Sequence, residues 1–321
     1  VTATGHAASL ESVRAAAARI APFARRTPVL TSTTLDRMAG RRLLFKAEVF
    51  QKGGAFKFRG AMSAVALLPA DVAARGVATH SSGNHAQALA IAAAIRGIPA
   101  FIVMPSNAPA VKRRAVEEYG GRVIECEPTL ESRESTAARV VAETGATLIP
   151  PFDHPDVIAG QGTIALEILE AHPEVEAIIA PVGGGGMISG IAIAAKAIKS
   201  SIKVLAAEPA LADDAFRSKK SGSIAPVLRT DTIADGLRTS LGRLTFPVVR
   251  DLVDEVLLVE EPAIVAAMRL VWERMKVVIE PSAAVGVAAV LDPSFVARRA
   301  FGSTAVVLCG GNVDLERLPF G

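Results

Sequence analysis

The sequence predicts an α/β protein of two open domains with largely parallel sheets. Three observations carry that expectation. Short runs that are apolar throughout alternate with helix-length segments, the pattern of successive βαβ units. Half of the 321 residues are hydrophobic but only 4% are aromatic, which suits buried strands covered by helices with small-residue faces. Four consecutive glycines, Gly183 to Gly186, separate an apolar run from a helical one. Glycine weakens helices and strands through its backbone freedom, so such a run signals a need for bare backbone.

The elements follow in order. "SLESVRAAAARIAPF" (9–23) is amphipathic. Strands are expected at 42–48, 76–81, 100–105, 122–127 and 146–151, and helices at 57–68, 84–97, 108–120 and 135–145. Each strand run is too short for a helix and is bounded by Gly, Pro or a charged residue. After a helix at 160–172, strands are expected at 177–182, 203–208, 255–260 and 304–310, with a helix at 262–276. Residues 76–151 thus form one compact run of units and 177–310 another. Ligands of such folds bind at the carboxyl ends of the strands. No internal repeat or low-complexity linker interrupts the pattern.

Composition excludes several classes. The formal charge of +3 is small and no basic run is interleaved with aromatics, so no nucleic-acid partner is expected. Cys126 and Cys309 are far apart and form neither a disulfide framework nor a metal spacing, which points to a reducing, cytoplasmic setting. The first twenty residues have no apolar signal core. Residues 177–195 carry no charge, but the glycines and Pro181 argue for a buried strand, loop and helix rather than a membrane span.

A glycine loop between a buried strand and a helix is an anion site, because N–H groups converge there and the helix terminus adds partial positive charge. A dinucleotide fits poorly. The sixth position from Gly183 is Ile188 and from Gly184 is Ser189, so GxGxxG fails in both registers, although Glu208 stands where a ribose-binding acid would. No Walker-type lysine follows. A small phosphorylated cofactor fits better. Lys57, between Phe56 and Phe58, could simply snorkel from a helix face. Beside a phosphate loop, a desolvated lysine is also what a Schiff base with an aldehyde cofactor requires. "THSSGNHAQALA" (79–90) runs from a strand through Ser81, Ser82, Asn84 and His85 into a helix. An ordinary N-cap needs one such residue, whereas a carboxylate receptor uses several.

Together "GAFKFRGA", "SSGNHAQ" and "PVGGGGMISG" resemble the fold-type II pyridoxal-phosphate enzymes, whose fold is tryptophan synthase β-like. "IAGQGTIALEI", "TIADGLRTSLG", "LVWERMKVVIEPSAAVGVAAVL" and "CGGNVDL" look like the serine/threonine dehydratase and serine racemase branch, which includes threo-3-hydroxyaspartate dehydratases. By that resemblance Lys57 binds pyridoxal 5′-phosphate covalently and takes the substrate α-proton. Phe56 packs on the cofactor ring, Asn84 bonds its 3′-oxygen, and Gly183, Gly184, Gly185, Gly186 and Met187 bind its phosphate. Ser81, Ser82, Asn84 and His85 hold the substrate carboxylate, and Ser82 aligns with the second base of the racemases. Cys309 stands where many relatives place a serine facing the pyridine nitrogen. A thiol is a weaker donor, and neither group protonates that nitrogen, which modestly favours elimination over racemisation.

The resemblance implies further sites. Glu208, Asp214 and the carbonyl of Ala212 match a divalent-cation site, whose oxygen donors suit Mg²⁺, Mn²⁺ or Ca²⁺. Acidic residues in the first turn of a helix would look the same. Arg133 aligns with an arginine able to reach a second substrate carboxylate, and Thr239 with a small hydroxyl lining the site. A large cofactor domain (1–66 and 155–321) and a small mobile domain (67–154) that closes over the amino-acid substrate are expected, in a homodimer. The expected activity is a pyridoxal-phosphate-dependent ammonia-lyase acting on L-threonine, L-serine or threo-3-hydroxyaspartate. A serine racemase is the alternative on this scaffold, and a nicotinamide-nucleotide-binding protein is the alternative outside it.

Overall fold

The computed structural model describes residues 5–298 and 300–320. Residues 1–4, Arg299 and Gly321, which the expected large domain and N-terminal stretch include, lie outside them. The chain opens with α1 (Leu10–Ile20), β1 (Val29–Leu30), α2 (Thr33–Ala39), β2 (Arg42–Ala47) and α3 (Lys57–Leu67). Next come α4 (Ala70–Ala73), β3 (Val77–His80), α5 (Asn84–Arg96), β4 (Ala100–Pro105), α6 (Ala110–Glu118), β5 (Arg122–Cys126), α7 (Leu130–Thr144) and β6 (Thr147–Leu148). They are followed by α8 (Pro155–Ala171), β7 (Ala177–Pro181), α9 (Gly186–Ile198), β8 (Lys203–Pro209), α10 (Asp214–Ser221) and α11 (Thr245–Leu252). The last elements are β9 (Glu255–Val259), α12 (Glu261–Met275), α13 (Pro281–Leu291), α14 (Pro293–Ala297) and β10 (Ser303–Leu308).

The strands form two sheets, one of order β1-β2-β10-β7-β8-β9 and one of order β5-β4-β3-β6. Every pairing is parallel except that of β1 with β2. β10 (sequence STAVVL) lies between β2 and β7 and is buried along its whole length, as the central strand of a parallel sheet covered on both faces must be. In the smaller sheet the two-residue period of a strand separates the cores. Val77 and Ile102 join the cluster that includes Phe58, Met62 and Leu89, while Ala78 and Val103 pack with Ala137 and Val140 of α7. That first cluster also takes in Ile20 and much of α3, so α3 serves the smaller sheet as well as the lysine at its own start.

Two close contacts position the site. α8 and α9 cross at Gly162 and Gly190, where a Cβ on Gly190 would lie 2.3 Å from the Ile158 carbonyl oxygen. Behind α3, Arg59 is 1% exposed and donates to both oxygens of Glu48 (2.7 and 2.8 Å) and both of Glu167 (2.6 and 2.9 Å). It also donates to Thr163 at 3.1 Å, while Lys46 reaches Glu167 at 2.5 Å. This buried network fixes the first turn of α3 against β2 and α8.

The nine expected strands are all present, but 146–151 is cut to Thr147–Leu148 because Pro150 and Pro151 have no N–H for the ladder. Helices α2, α4, α11, α13 and α14 and the two-residue β1 were not expected, and α10 only as the alternative to a cation site. In α13 the residues from Ser282 to Val290 are all buried, and a helix that is apolar all round shows no 3.6-residue period. Among the described residues, no helix is long and apolar enough to cross a membrane.

Candidate active site

The chemistry-bearing segments leave the carboxyl ends of parallel strands. The glycine loop follows β7, "SSGN" follows β3, Cys309 follows β10 and Glu208 lies near the end of β8. Helices α1, α2, α7 and α8 are each capped by a side chain, from Ser9, Ser32, Thr129 and His154. Like α3, α6 and α10 to α13, α5 and α9 have no side-chain cap, and they begin at Gly83 and Gly185. Their first-turn N–H groups have no intrahelical acceptor and suit an anion.

The glycines fit such a ligand by their surroundings. A Cβ on Gly184 would fall 2.3 Å from the Phe152 ring, and Gly185 adopts φ 87° beside Leu241 and Thr245. A side chain at either position would force the loop open. Met187, in the first turn of α9, is 5% exposed. Thr239 is exposed, with its hydroxyl 3.4 Å from where a Gly183 Cβ would lie, so it borders the loop.

Lys57 is the first residue of α3. The backbone ahead of it is pinned to β10, because Phe56 N–H donates to the Cys309 carbonyl at 3.0 Å and Ala55 bridges Gly310. Its Nζ donates to the Pro151 carbonyl at 2.8 Å and lies 5.1 Å from the centre of the Phe56 ring. Part of the side chain meets the cleft, but the amine end is desolvated. That burial lowers its pKa to about 8, against the opposing pull of Cys309 and Glu280. A lysine so tuned supplies free amine near neutral pH.

Ser81, Ser82 and Asn84 are partly buried in the turn between β3 and α5. Ser81 Oγ accepts from Gly83 N–H at 3.4 Å. His85 is 2% exposed, and its Nε2–H donates to the Ile149 carbonyl at 2.9 Å. Burial and the Lys57 charge push its pKa down to about 3, so the ring is neutral and its buried Nδ1, which has no partner, is a bare lone pair. The imidazole therefore cannot donate to a carboxylate. The backbone N–H groups of Asn84 and His85 lie in the uncapped first turn of α5.

Cys309 is 2% exposed and its thiol is raised well above 9 by burial and by Glu280. It stays protonated, as a weak S–H donor. Glu280, in the loop before α13, was not singled out from the sequence, although it stands in "VVIEPSAAVG". It is 5% exposed and accepts from Asn84 Nδ2 at 2.9 and 3.1 Å and from Asn312 N–H at 3.2 Å. Burial first, then Asp235, raise it to about 7. Asn312 Nδ2 also donates to Asn84 Oδ1 at 2.9 Å, so Asn84 is oriented from two sides. The acceptor Pro151 was likewise unforeseen, since a backbone carbonyl has no sequence signal.

Arg133 is partly buried on α7, with Nε directed at its own Thr129 carbonyl at 3.4 Å. Burial first, and then the Arg133 charge, lower the pKa of His80 at the end of β3, with Glu134 opposing them. The expected cation ligands lie near the end of β8 and at the start of α10. Glu208, Ala212 and Asp214 are each at most 1% exposed. Glu208 accepts from Ala215 and Phe216 N–H at 2.7 and 2.8 Å, and Asp214 Oδ2 from Leu241 N–H at 3.2 Å. Asp214 Oδ1 is buried with no partner. Burial and neighbouring carboxylates push Glu208 up to about 9 and Asp214 to about 7. Two buried acids, one with an orphaned oxygen, fit an oxygen-ligated divalent cation completed by the Ala212 carbonyl and water. Among the described residues no group of three His, Cys, Asp or Glu side chains accompanies them.

Residues 20–310 match the family described as pyridoxal-phosphate dependent enzyme. A serine racemase of Arabidopsis thaliana is 55% identical over 316 residues, covering 98% of this chain and 96% of the relative. The solved maize serine racemase superposes with a TM-score of 0.96 at 52% identity, covering 97% of this chain and 95% of that one. A solved threonine deaminase, from T.th., superposes with a TM-score of 0.91 at 45% identity, covering 96% and 99%. The chain belongs to the pyridoxal-phosphate dependent enzyme family, in the serine racemase and threonine deaminase branch of fold type II.

Proposed function

We propose that this member of the family is an amino-acid racemase acting on serine, with Lys57 and Ser82 as its two proton-transferring groups. The observation that carries the reading is the 52–55% identity to serine racemases over nearly the whole of both chains, in a protein that keeps both residues. It shifts the weight away from elimination, which the sequence favoured through Cys309.

Pyridoxal phosphate, when bound, supplies the electron-withdrawing ring that makes the substrate α-proton acidic. The glycine loop with Met187 and the N-terminus of α9 would hold its phosphate, Phe56 would flank the ring and Asn84 would meet the 3′-oxygen. The substrate carboxylate would lie against the first-turn N–H groups of α5 and the hydroxyls of Ser81 and Ser82. Lys57, with its amine freed near pH 8, takes the α-proton from one side, and the Ser82 hydroxyl returns one from the other. The Glu208–Ala212–Asp214 cation site acts at a distance. Through Leu241 N–H it steadies the loop that carries Thr239 and leads into α11 at Thr245.

Elimination to a 2-oxo acid and ammonium is the second reading, supported by the 45% identity to a threonine deaminase. Arg133 would widen that substrate set to an amino acid with a second carboxylate. The deciding experiment assays D-isomer and 2-oxo acid separately from L-serine, L-threonine and L-threo-3-hydroxyaspartate. The racemase reading expects D-serine from wild type, at least a 100-fold loss in Ser82→Ala, and no turnover in Lys57→Ala. Oxo acid without D-isomer would return the function to elimination.

A further inference from the structure

The connector between the two sheets, residues 149–154, meets the glycine loop and the start of α11. Pro151 accepts from Lys57, and Phe152 lies against Gly184 and Gly186. The carboxylate of Asp153 accepts from Arg243 N–H at 3.0 Å and Leu244 N–H at 2.8 Å, and would collide with any Cβ on Gly242. The next residue, Thr245, is fully buried and begins α11. Its Oγ1 accepts from Gly242 N–H at 2.8 Å and donates to the Gly184 carbonyl at 2.8 Å.

We propose that Asp153 is a positioning residue for the cofactor phosphate, forming with Thr245 a clamp that holds the glycine loop in its binding conformation. The inference rests on the family's cofactor and adds residues that neither the motifs nor the expected site contain. The peptide unit is planar and trans. Fixing the Gly184 carbonyl toward Thr245 therefore turns the Gly185 N–H to the opposite side, away from Thr245. Four glycines in succession would otherwise sample many conformations. Asp153 sets the turn that presents Thr245, and its charge is met by the N-terminus of α11. Because Asp153 belongs to the connector, the loop is referenced to the segment that also receives Lys57. One small unit thus registers the phosphate and amine ends of the site against each other.

The test measures equilibrium uptake of pyridoxal phosphate by apoprotein, beside the apoprotein melting temperature. Asp153→Asn keeps the shape but turns an N–H group toward a backbone donor, and Thr245→Val keeps the shape without either hydrogen bond. Each should weaken the cofactor Kd about tenfold, equivalent to about 1.4 kcal/mol. Thr245→Ser should stay within about threefold of wild type, and the double variant should be no weaker than about thirtyfold, because both changes open one clamp. Single-variant Kd values within twofold of wild type overturn the proposal, whatever the melting temperature does. A double variant weakened a hundredfold overturns the shared clamp. Wild type that fails to take up the cofactor at all overturns the cofactor assignment itself, a result distinct from either.

Discussion

Replacing Arg59 by alanine should destabilise the protein severely, by a route visible in the structure. Arg59 and Glu48 are 1% and 0% exposed at their side chains, and Glu167 is 16% exposed. The guanidinium makes bidentate bonds to both acids, so its loss leaves the fully buried Glu48 with only the Thr27 hydroxyl and Glu167 with Lys46 alone. Removing one partner of a buried pair costs about 3–5 kcal/mol. Unfolding entropy of about 2.1 cal/mol/K per residue gives about 0.7 kcal/mol/K for a chain of this length, so the melting temperature should fall by about 4–7 °C. Arg59→Lys retains the charge but not the planar fork and should recover only part of that loss. The pH dependence has a definite sign. Burial alone would raise Glu167, but Arg59 and Lys46 outweigh it and hold its pKa below the ordinary 4.5. Its contribution is therefore present above the unfolded pKa and is lost as pH falls through the folded one. The gap between wild type and Arg59→Ala should narrow on acidification below about pH 4. Melts of the apoprotein by circular dichroism at several pH values decide it. A loss under 2 °C at pH 7, or a gap that widens in acid, would refute the reasoning.

Two further outcomes follow from the site. The rate of covalent capture of pyridoxal phosphate by apoprotein should rise about tenfold per pH unit below Lys57's value of about 8 and level off above it, since only the free amine attacks; stopped-flow absorbance checks this, and a profile still rising at pH 10 would mean an unshifted lysine. Saturating Mg²⁺, Mn²⁺ or Ca²⁺ at about 100 times its Kd should stabilise chelator-treated protein by about 2.7 kcal/mol, about 4 °C in melting temperature, and Asp214→Asn should abolish the shift.

The motifs made Lys57, the glycine loop, the serine turn and the two buried acids legible in the sequence, because each is a run of residue types whose chemistry is local. The alternation of apolar strands with helices likewise exposed the two parallel sheets. What stayed hidden was supplied by distant chain. Glu280 and Asn312 meet Asn84 only because β10 and the start of α13 converge near the N-terminus of α5. Both stand in stretches that resemble the family, but nothing local says that either side chain meets Asn84. His85 was expected beside Ser82 and Asn84 at the substrate carboxylate, and only the fold shows that burial keeps its ring neutral with Nε2–H donating to the Ile149 carbonyl.

Sequence by itself determined the fold class and the family's cofactor, and it pointed to Lys57, the glycine loop and the serine turn as the residues to place around that cofactor. Tertiary structure alone decided the lowered pKa of Lys57, the neutrality of His85, the orphaned oxygen of Asp214 and the joining of Asp153 to the glycine loop through Thr245. The division has one physical reason. Backbone periodicity and residue chemistry act over a few neighbours, whereas desolvation and long-range hydrogen bonds exist only after segments far apart in the chain have excluded water together.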